Sequence, residues 1–438
     1  MAQAPLQDAV ELYNAGQFDR AAALCRGVLE LDPGHPETNH LLGVIFFKQG
    51  NAIAAREPLK RAAASARATA EMHNNLGAVL NALGEVEQAA ESFKRALALN
   101  PNYAWAFNNL GVLYRDLKRT EAAIEAFRRA LAIEPGFTEA QVNLRGSYRE
   151  LIPAWHFAMM HDRKRNDAYE AAIGRAVSKK RVLEIGAGAG LLAMMAARAG
   201  AASVTTCEAV GVIAECARSI VAENNLAGRV SVVAKRSTEL VIGRDMPAKA
   251  EVLITETFSS NLLDEGVLSS IEYAHDHLLV DKAQIIPAAA SAMGFLIGGE
   301  VIEEALFVDR VKGFALSRFN DFAPPSLAVG LDGKAYQALS DDLELFRFDF
   351  NERSFPAKRV SHTFTATRSG VCVGVAQWIK IYLDRDTHYD NKPSGEGAHT
   401  HWSHLIYRFP RLVPVKTGDV VRVIALHDRA QIHVDLVE

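Results

Sequence analysis

The chain has 438 residues, 49% hydrophobic and 23% charged. At roughly 100–200 residues per domain this gives two to four domains with sizeable cores and excludes intrinsic disorder. Lys plus Arg number 48 against 52 Asp plus Glu, a formal net charge of −4, so no basic excess drives phosphate binding and an obligate nucleic-acid binder is not expected. The four cysteines, Cys25, Cys207, Cys216 and Cys372, form no C-x-x-C pair, which argues against a zinc ribbon or a disulfide scaffold and fits a reducing cytoplasm. The opening residues lack a basic start followed by an apolar core, and apolar runs such as 182–200 are broken by glycines and Arg198. Neither a signal peptide nor a membrane span is expected.

A repeat fills the first third. Leu42-Gly43, Leu76-Gly77 and Leu110-Gly111 recur 34 residues apart, as do Ala55, Ala89 and Ala123, and Leu59, Phe93 and Phe127. Ala62, Ala96 and Ala130 close the units, and Pro33, Pro101 and Pro135 end those they belong to. The pattern resembles the tetratricopeptide repeat, a helix-turn-helix unit whose small residues let two helices pack closely. A degenerate first repeat takes about 2–35, and three more run 36–69, 70–103 and 104–137. A capping helix with Leu144 and Tyr148 follows, so the all-α solenoid spans 1–150. Pro58 is expected near the start of the second helix of its repeat, or to kink it. Asn75, Asn109 and Asn143 also lie 34 apart, on the helix lining the concave face. They are either a ladder that bonds a peptide backbone or surface residues suited to that position.

After residue 150 the period changes. Strand-like runs at Arg181–Ile185, Ser203–Cys207, Val230–Ala234 and Val252–Thr255 alternate with helical stretches, which predicts a parallel sheet covered on both faces, over 151–287. The first strand leads through Glu184 into Gly186-Ala-Gly188-Ala-Gly190 and then a helix. Glycines there let the backbone pass close to a ligand. Glu208 ends the next strand 22 residues after Gly186, where a carboxylate reaches two ribose hydroxyls. A dinucleotide fingerprint wants G-x-G-x-x-G, but Leu191 stands where the third glycine belongs and the spacing is G-x-G-x-G. The loop therefore resembles the S-adenosylmethionine site of class I methyltransferases.

The fourth strand runs into a loop carrying Glu256 and Glu265, nine residues apart. Paired acids there serve as general acid and base, as metal ligands or as a cradle for a cation. A metal site wants further ligands and only Asp264 is close, so no metal is expected. Upstream lies His156-x-x-Met159-x-x-Asp162-x-x-Arg165-x-x-x-Tyr169, and downstream Thr400-His401-Trp402. These four motifs in order resemble the protein arginine methyltransferases, most of all members 7 and 9, with the tetratricopeptide start pointing to 9.

The resemblance implies transfer of a methyl group from S-adenosylmethionine to the guanidinium of arginine in protein substrates. It assigns His156, Met159, Arg165, Glu184, Gly186, Gly188, Gly190, Glu208, Thr238 and Glu239 to the cofactor. Glu256 and Glu265 clamp the guanidinium, His401 pairs with Asp162, and Trp402 walls the acceptor pocket. Ser259 and Asp264 depart from the Asp and Gly that relatives tend to carry between the two glutamates.

From Pro287 the reading is short β runs, Val360–Thr367, Val371–Leu383, His404–Phe409, Val420–Leu426 and Gln431–Val437, suiting the family's β-barrel over 288–438. A stretch of about 311–345 resembles the arm through which such enzymes dimerise. One set of motifs implies pairing with a second copy of the chain. The repeats are then expected to recruit substrate, and no membrane or direct nucleic-acid requirement is expected. The alternatives are a methyltransferase of a small molecule or another side chain, although a neutral acceptor has no use for both glutamates, and a non-catalytic interaction protein built on the repeats.

Overall fold

The 34-residue period is a period of helix starts. In the computed structural model, which describes residues 3–152, 155–331, 336–393 and 402–437, helices begin at Pro36, Ala70, Ala104 and Thr138. The first three lead the pairs Pro36–Lys48 with Ala52–Ala63, Ala70–Ala82 with Val86–Leu99, and Ala104–Asp116 with Thr120–Ile133. The pair Gln3–Asn14 and Phe18–Leu31 precedes them, and Thr138–Leu151 caps the array. The glycines of the Leu-Gly pairs are required by close approach. A Cβ on Gly77 would stand 2.6 Å from the Phe93 ring, and one on Gly111 2.5 Å from Phe127. Pro58 is neither in the first turn nor at a helix end; it lies inside Ala52–Ala63.

The chain divides into two units, residues 1–153 and 154–438. The second opens with the helices Trp155–His161 and Arg163–Ala176, followed by a five-stranded sheet. Its strands are β1 (Arg181–Ile185), β2 (Ser203–Cys207), β3 (Val230–Val233), β4 (Ala250–Thr255) and β5 (Leu279–Ile286), in the order β3-β2-β1-β4-β5 and all parallel. β1 and β4 are buried through most of their length, as parallel strands covered on both faces must be.

Two antiparallel sheets follow. The larger is built around Ala289–Gly298, Gly370–Tyr382 and His404–Val415, and the smaller joins Lys358–Thr365, Val420–His427 and Ile432–Leu436. One apolar core runs from Ile173, Leu183 and Ile254 of the parallel half to Phe364 and Val423 of the antiparallel half. The loop after β4 is thus held from both sides.

The stretch expected as one arm over 311–345 divides. Arg310–Val311 and Phe314–Ala315 form a short hairpin followed by the helical turn Ser317–Phe322, with Phe314, Phe319 and Phe322 exposed. Ser326–Val329, Gln337–Ala338 and Leu343–Asp349 are instead strands of the larger sheet. Leu345, Phe346 and Phe348 are buried, so this stretch has an apolar side to place in the core.

Candidate functional site

Polar chemistry gathers at the C-terminal ends of the parallel strands, as in other sheets of this kind. After β1 the backbone turns through Gly186, Gly188 and Gly190 at φ of +87°, +48° and +79°, values that glycine alone adopts without strain. Glu208, just past β2, closes on this turn: Oε2 accepts from the Gly188 N–H at 3.1 Å and Oε1 from the Val210 N–H at 3.0 Å. Each oxygen keeps a lone pair for a further donor. Glu184, the penultimate residue of β1, is buried and its Oε2 has no hydrogen-bond partner. Burial pushes its carboxyl up to about 8, with Arg165 among the groups pulling the other way. Thr238 and Glu239 are exposed on the turn Ser237–Glu239 beyond β3, the strand paired to β2.

Arg165 sits at the start of the helix Arg163–Ala176, capped by Asp162, whose Oδ1 accepts from the Arg165 N–H at 3.0 Å. The guanidinium is buried and turned to the end of β4. There its Nε donates to Glu256 Oε1 at 2.8 Å and its Nη2 pairs with Glu256 Oε2. Nη1 donates to Asn166 Oδ1 at 2.7 Å, and the Tyr169 ring lies 5.1 Å away with its hydroxyl donating to the Thr255 carbonyl. Burial pulls the guanidinium below its ordinary value, opposed by Tyr169, Asp162 and Glu184. Arg165 and Glu256, assigned from sequence to a cofactor and to a substrate, thus bond to each other.

The loop beyond Glu256 is pinned by the antiparallel half. Trp402 Nε1 donates to the Phe258 carbonyl at 2.8 Å and Gln377 Nε2 to that of Ser260 at 3.1 Å. Asn261 bonds Ile432 in both directions, and Leu262 holds the left-handed backbone at φ +78° with its side chain fully buried. A cleft of about 300 Å³ opens on this loop, lined by Trp155, Asn261, Asp264, Glu265, Trp402 and His433 among others. Glu265 therefore lines the cleft, while Glu256 lies in the buried pair with Arg165.

His156 and Met159 are half-buried on the helix Trp155–His161, the His156 ring stacked on Trp155 at 3.9 Å. His401 lies outside the described residues. In the repeats, Asn75, Asn109 and Asn143 spend an amide contact between neighbouring units. Asn109 Nδ2 donates to Asn74 at 3.0 Å, Asn143 Nδ2 to Asn108 at 2.9 Å, and Asn75 Nδ2 meets His40 Nε2 at 2.8 Å. Sequence reasoning missed Tyr389, whose hydroxyl donates to Asp162 Oδ2. It also missed the buried Gln377, although an amide in the middle of the apolar run Val371–Leu383 is a signal that could have found it. Among the described residues no group of three metal-ligating side chains occurs and no helix is long and apolar enough to cross a membrane.

Comparison with known proteins gives the family. The chain is 33% identical over 272 residues to an arginine N(omega)-methyltransferase of Streptomyces achromogenes, an alignment covering 62% of this chain and 75% of that one. This chain belongs to the protein arginine methyltransferase family. It is also 33% identical over 252 residues to protein arginine N-methyltransferase 7 of Drosophila ananassae, and 30% over 312 residues to that of Bos taurus. Those alignments cover 52% and 62% of this chain, and it spans only 36% and 44% of those relatives. The tetratricopeptide-repeat family matches over residues 12–78 and 68–134.

The fold is shared with family members of known structure. The Trypanosoma brucei PRMT1 enzyme–prozyme heterotetrameric complex with AdoHcy superposes with a TM-score of 0.57 at 21% identity, covering 66% of this chain and 95% of that one. Protein arginine methyltransferase 10 of Arabidopsis thaliana gives 0.53 at 20%, covering 64% and 97%. The family read from the four motifs is the family found.

Proposed function

We propose that this chain transfers a methyl group from S-adenosylmethionine to a guanidinium nitrogen of arginine in protein substrates, with Glu256 and Glu265 as its acceptor clamp. The observation carrying this reading is the convergence of the Gly186–Gly190 turn and Glu208 on one side, and Arg165 and Glu256 on the other, at the ends of β1, β2 and β4.

The residues suit the cofactor. Gly188 leaves open space where a Cβ would stand, Glu208 has lone pairs for two ribose hydroxyls, and Glu184 offers an unpartnered buried oxygen. Arg165 is the cation for the methionine carboxylate, His156 and Met159 lie along the same side, and Thr238 and Glu239 suit the adenine. When bound, the cofactor supplies an electrophilic methyl group. The protein's part is to hold the nucleophile. Arginine's pKa lies above ~12, so the side chain arrives charged. Two carboxylates draw the positive charge onto the nitrogens they bond, leaving the remaining terminal nitrogen better able to attack in line. The proton leaves after the new C–N bond forms. Trp402 walls the acceptor cleft.

The repeats recruit the substrate protein in this reading, and a homodimer forms through the hairpin and turn at 310–322. One observation favours a second acceptor: the Streptomyces relative, of which the chain covers 75%, is named for arginine itself. Incubation with methyl-labelled cofactor and either an arginine-rich protein or free arginine separates the two, with mass spectrometry of the product. Methylarginine in the protein is the expected result; label in free arginine alone moves the assignment to the small molecule.

A further inference from the structure

We propose that Tyr389 is a positioning residue of the methyl-transfer site, acting through Asp162 on Arg165; this rests on the functional reading above. Tyr389 sits on the three-residue strand His388–Asp390, paired to Gly370–Tyr382 in the antiparallel half, with Tyr389 opposite Ile381. It is buried, and its hydroxyl donates to Asp162 Oδ2. The other oxygen of the same carboxylate caps the helix at the Arg165 N–H. A carboxylate bonded through both oxygens cannot turn about its last torsion, so the first turn of that helix, with Arg165 in it, is fixed from across the domain.

The opposite face of Tyr389 closes a ring of contacts. Its aromatic ring lies 5.6 Å from that of Trp402, whose Nε1 donates to the Phe258 carbonyl two residues beyond Glu256. Asn391, next but one along the chain, bonds the Ile379 N–H at 2.7 Å and reaches the Trp402 carbonyl at 3.5 Å, which holds the segment in place. The circuit therefore runs from Glu256 along the loop to Trp402, Tyr389, Asp162 and Arg165, and back to Glu256. Burial and the bond to Asp162 keep the phenol in its neutral, donating form.

The test is a double-mutant cycle in the full-length chain, using Tyr389→Phe and Arg165→Lys. Phenylalanine keeps the ring against Trp402 and removes only the donor. Lysine keeps the charge and removes the two-point geometry. Affinity for S-adenosylmethionine is read by calorimetry, and single-turnover methyl transfer is normalised to folded protein. Tyr389→Phe is expected to lose about tenfold in both readouts in the parent, the scale of one hydrogen bond to a charged group, and less than about twofold in the Arg165→Lys background, because the residue it positions is already misplaced. Equal factors in both backgrounds mean that Tyr389 supports the fold generally, and this overturns the proposal. So does a Tyr389→Phe enzyme within about twofold of the parent. A parent chain that neither binds the cofactor nor methylates arginine fails the functional reading itself, and the positioning role falls with it.

Discussion

At the scale of the residue, Glu256 faces a competition. Its carboxylate grips the Arg165 guanidinium at two points, and the proposed cofactor carboxylate needs the same cation. Glu256→Gln removes the competitor and the negative charge meant for the acceptor in one step. Methyl transfer is expected to fall by about 10²–10³, the usual loss for a preorganised electrostatic partner. Affinity for the cofactor is expected to hold or improve. The variant also leaves Arg165 uncompensated, and breaking a buried pair costs about 3–5 kcal/mol, so its rate is compared per folded molecule. Weaker cofactor binding would mean that the main work of Glu256 is to orient Arg165. Arg165, Asp162 and Glu256 were singled out because they stand in motifs that resemble those of a family, and the structure brings the three together. Tyr389 was not legible, since it lies 227 residues from the carboxylate it bonds, on a strand too short to carry a signal.

At the scale of the element, β1 and β2 appear with the bounds their apolar runs predicted, and each repeat begins where the 34-residue period put it. Ala289–Gly298 was missed because seven of its ten residues are Ala, Gly, Ser or Met, and its strand formers Phe295 and Ile297 come only near its end. Packing explains the choice: a Cβ on Gly298 would lie 2.2 Å from the Val371 carbonyl oxygen of the neighbouring strand. The Asn positions in the repeats were legible as a ladder, but not the contacts between units that engage their amides, since those contacts span 35 residues. The same logic of close approach predicts opposite signs for one substitution in two repeat helices. Gly111→Ala drives a methyl to 2.5 Å from Phe127, an overpacking cost of about 1–3 kcal/mol. Gly146→Ala meets nothing within 4 Å in the helix Thr138–Leu151 and gains up to about 1 kcal/mol of helix propensity. Denaturant unfolding of the two variants checks this, and destabilisation by both would show that the cost at Gly111 is not one of space.

At the scale of the whole molecule, the division of labour follows the division of cores. Residues 154–438 carry every proposed catalytic and cofactor side chain and a core continuous across both sheet systems, while the repeats pack in clusters of their own. The chain spans 36% and 44% of two of its number-7 relatives, and the proposed pairing with a second copy of the chain needs a surface to carry it. The surface offered for that is specific: Phe314, Phe319 and Phe322 are 73%, 70% and 82% exposed on the hairpin and turn at 310–322, unusual for rings of that size unless a partner covers them. The full chain is therefore expected to sediment as a dimer at micromolar concentration. Replacing the three phenylalanines together by serine is expected to yield monomers with unchanged helix and strand content by circular dichroism, because none of the three is buried in this chain, and with most methyl transfer lost. A triple variant that remains dimeric would move the interface elsewhere. A monomer with full activity would make the single module sufficient by itself.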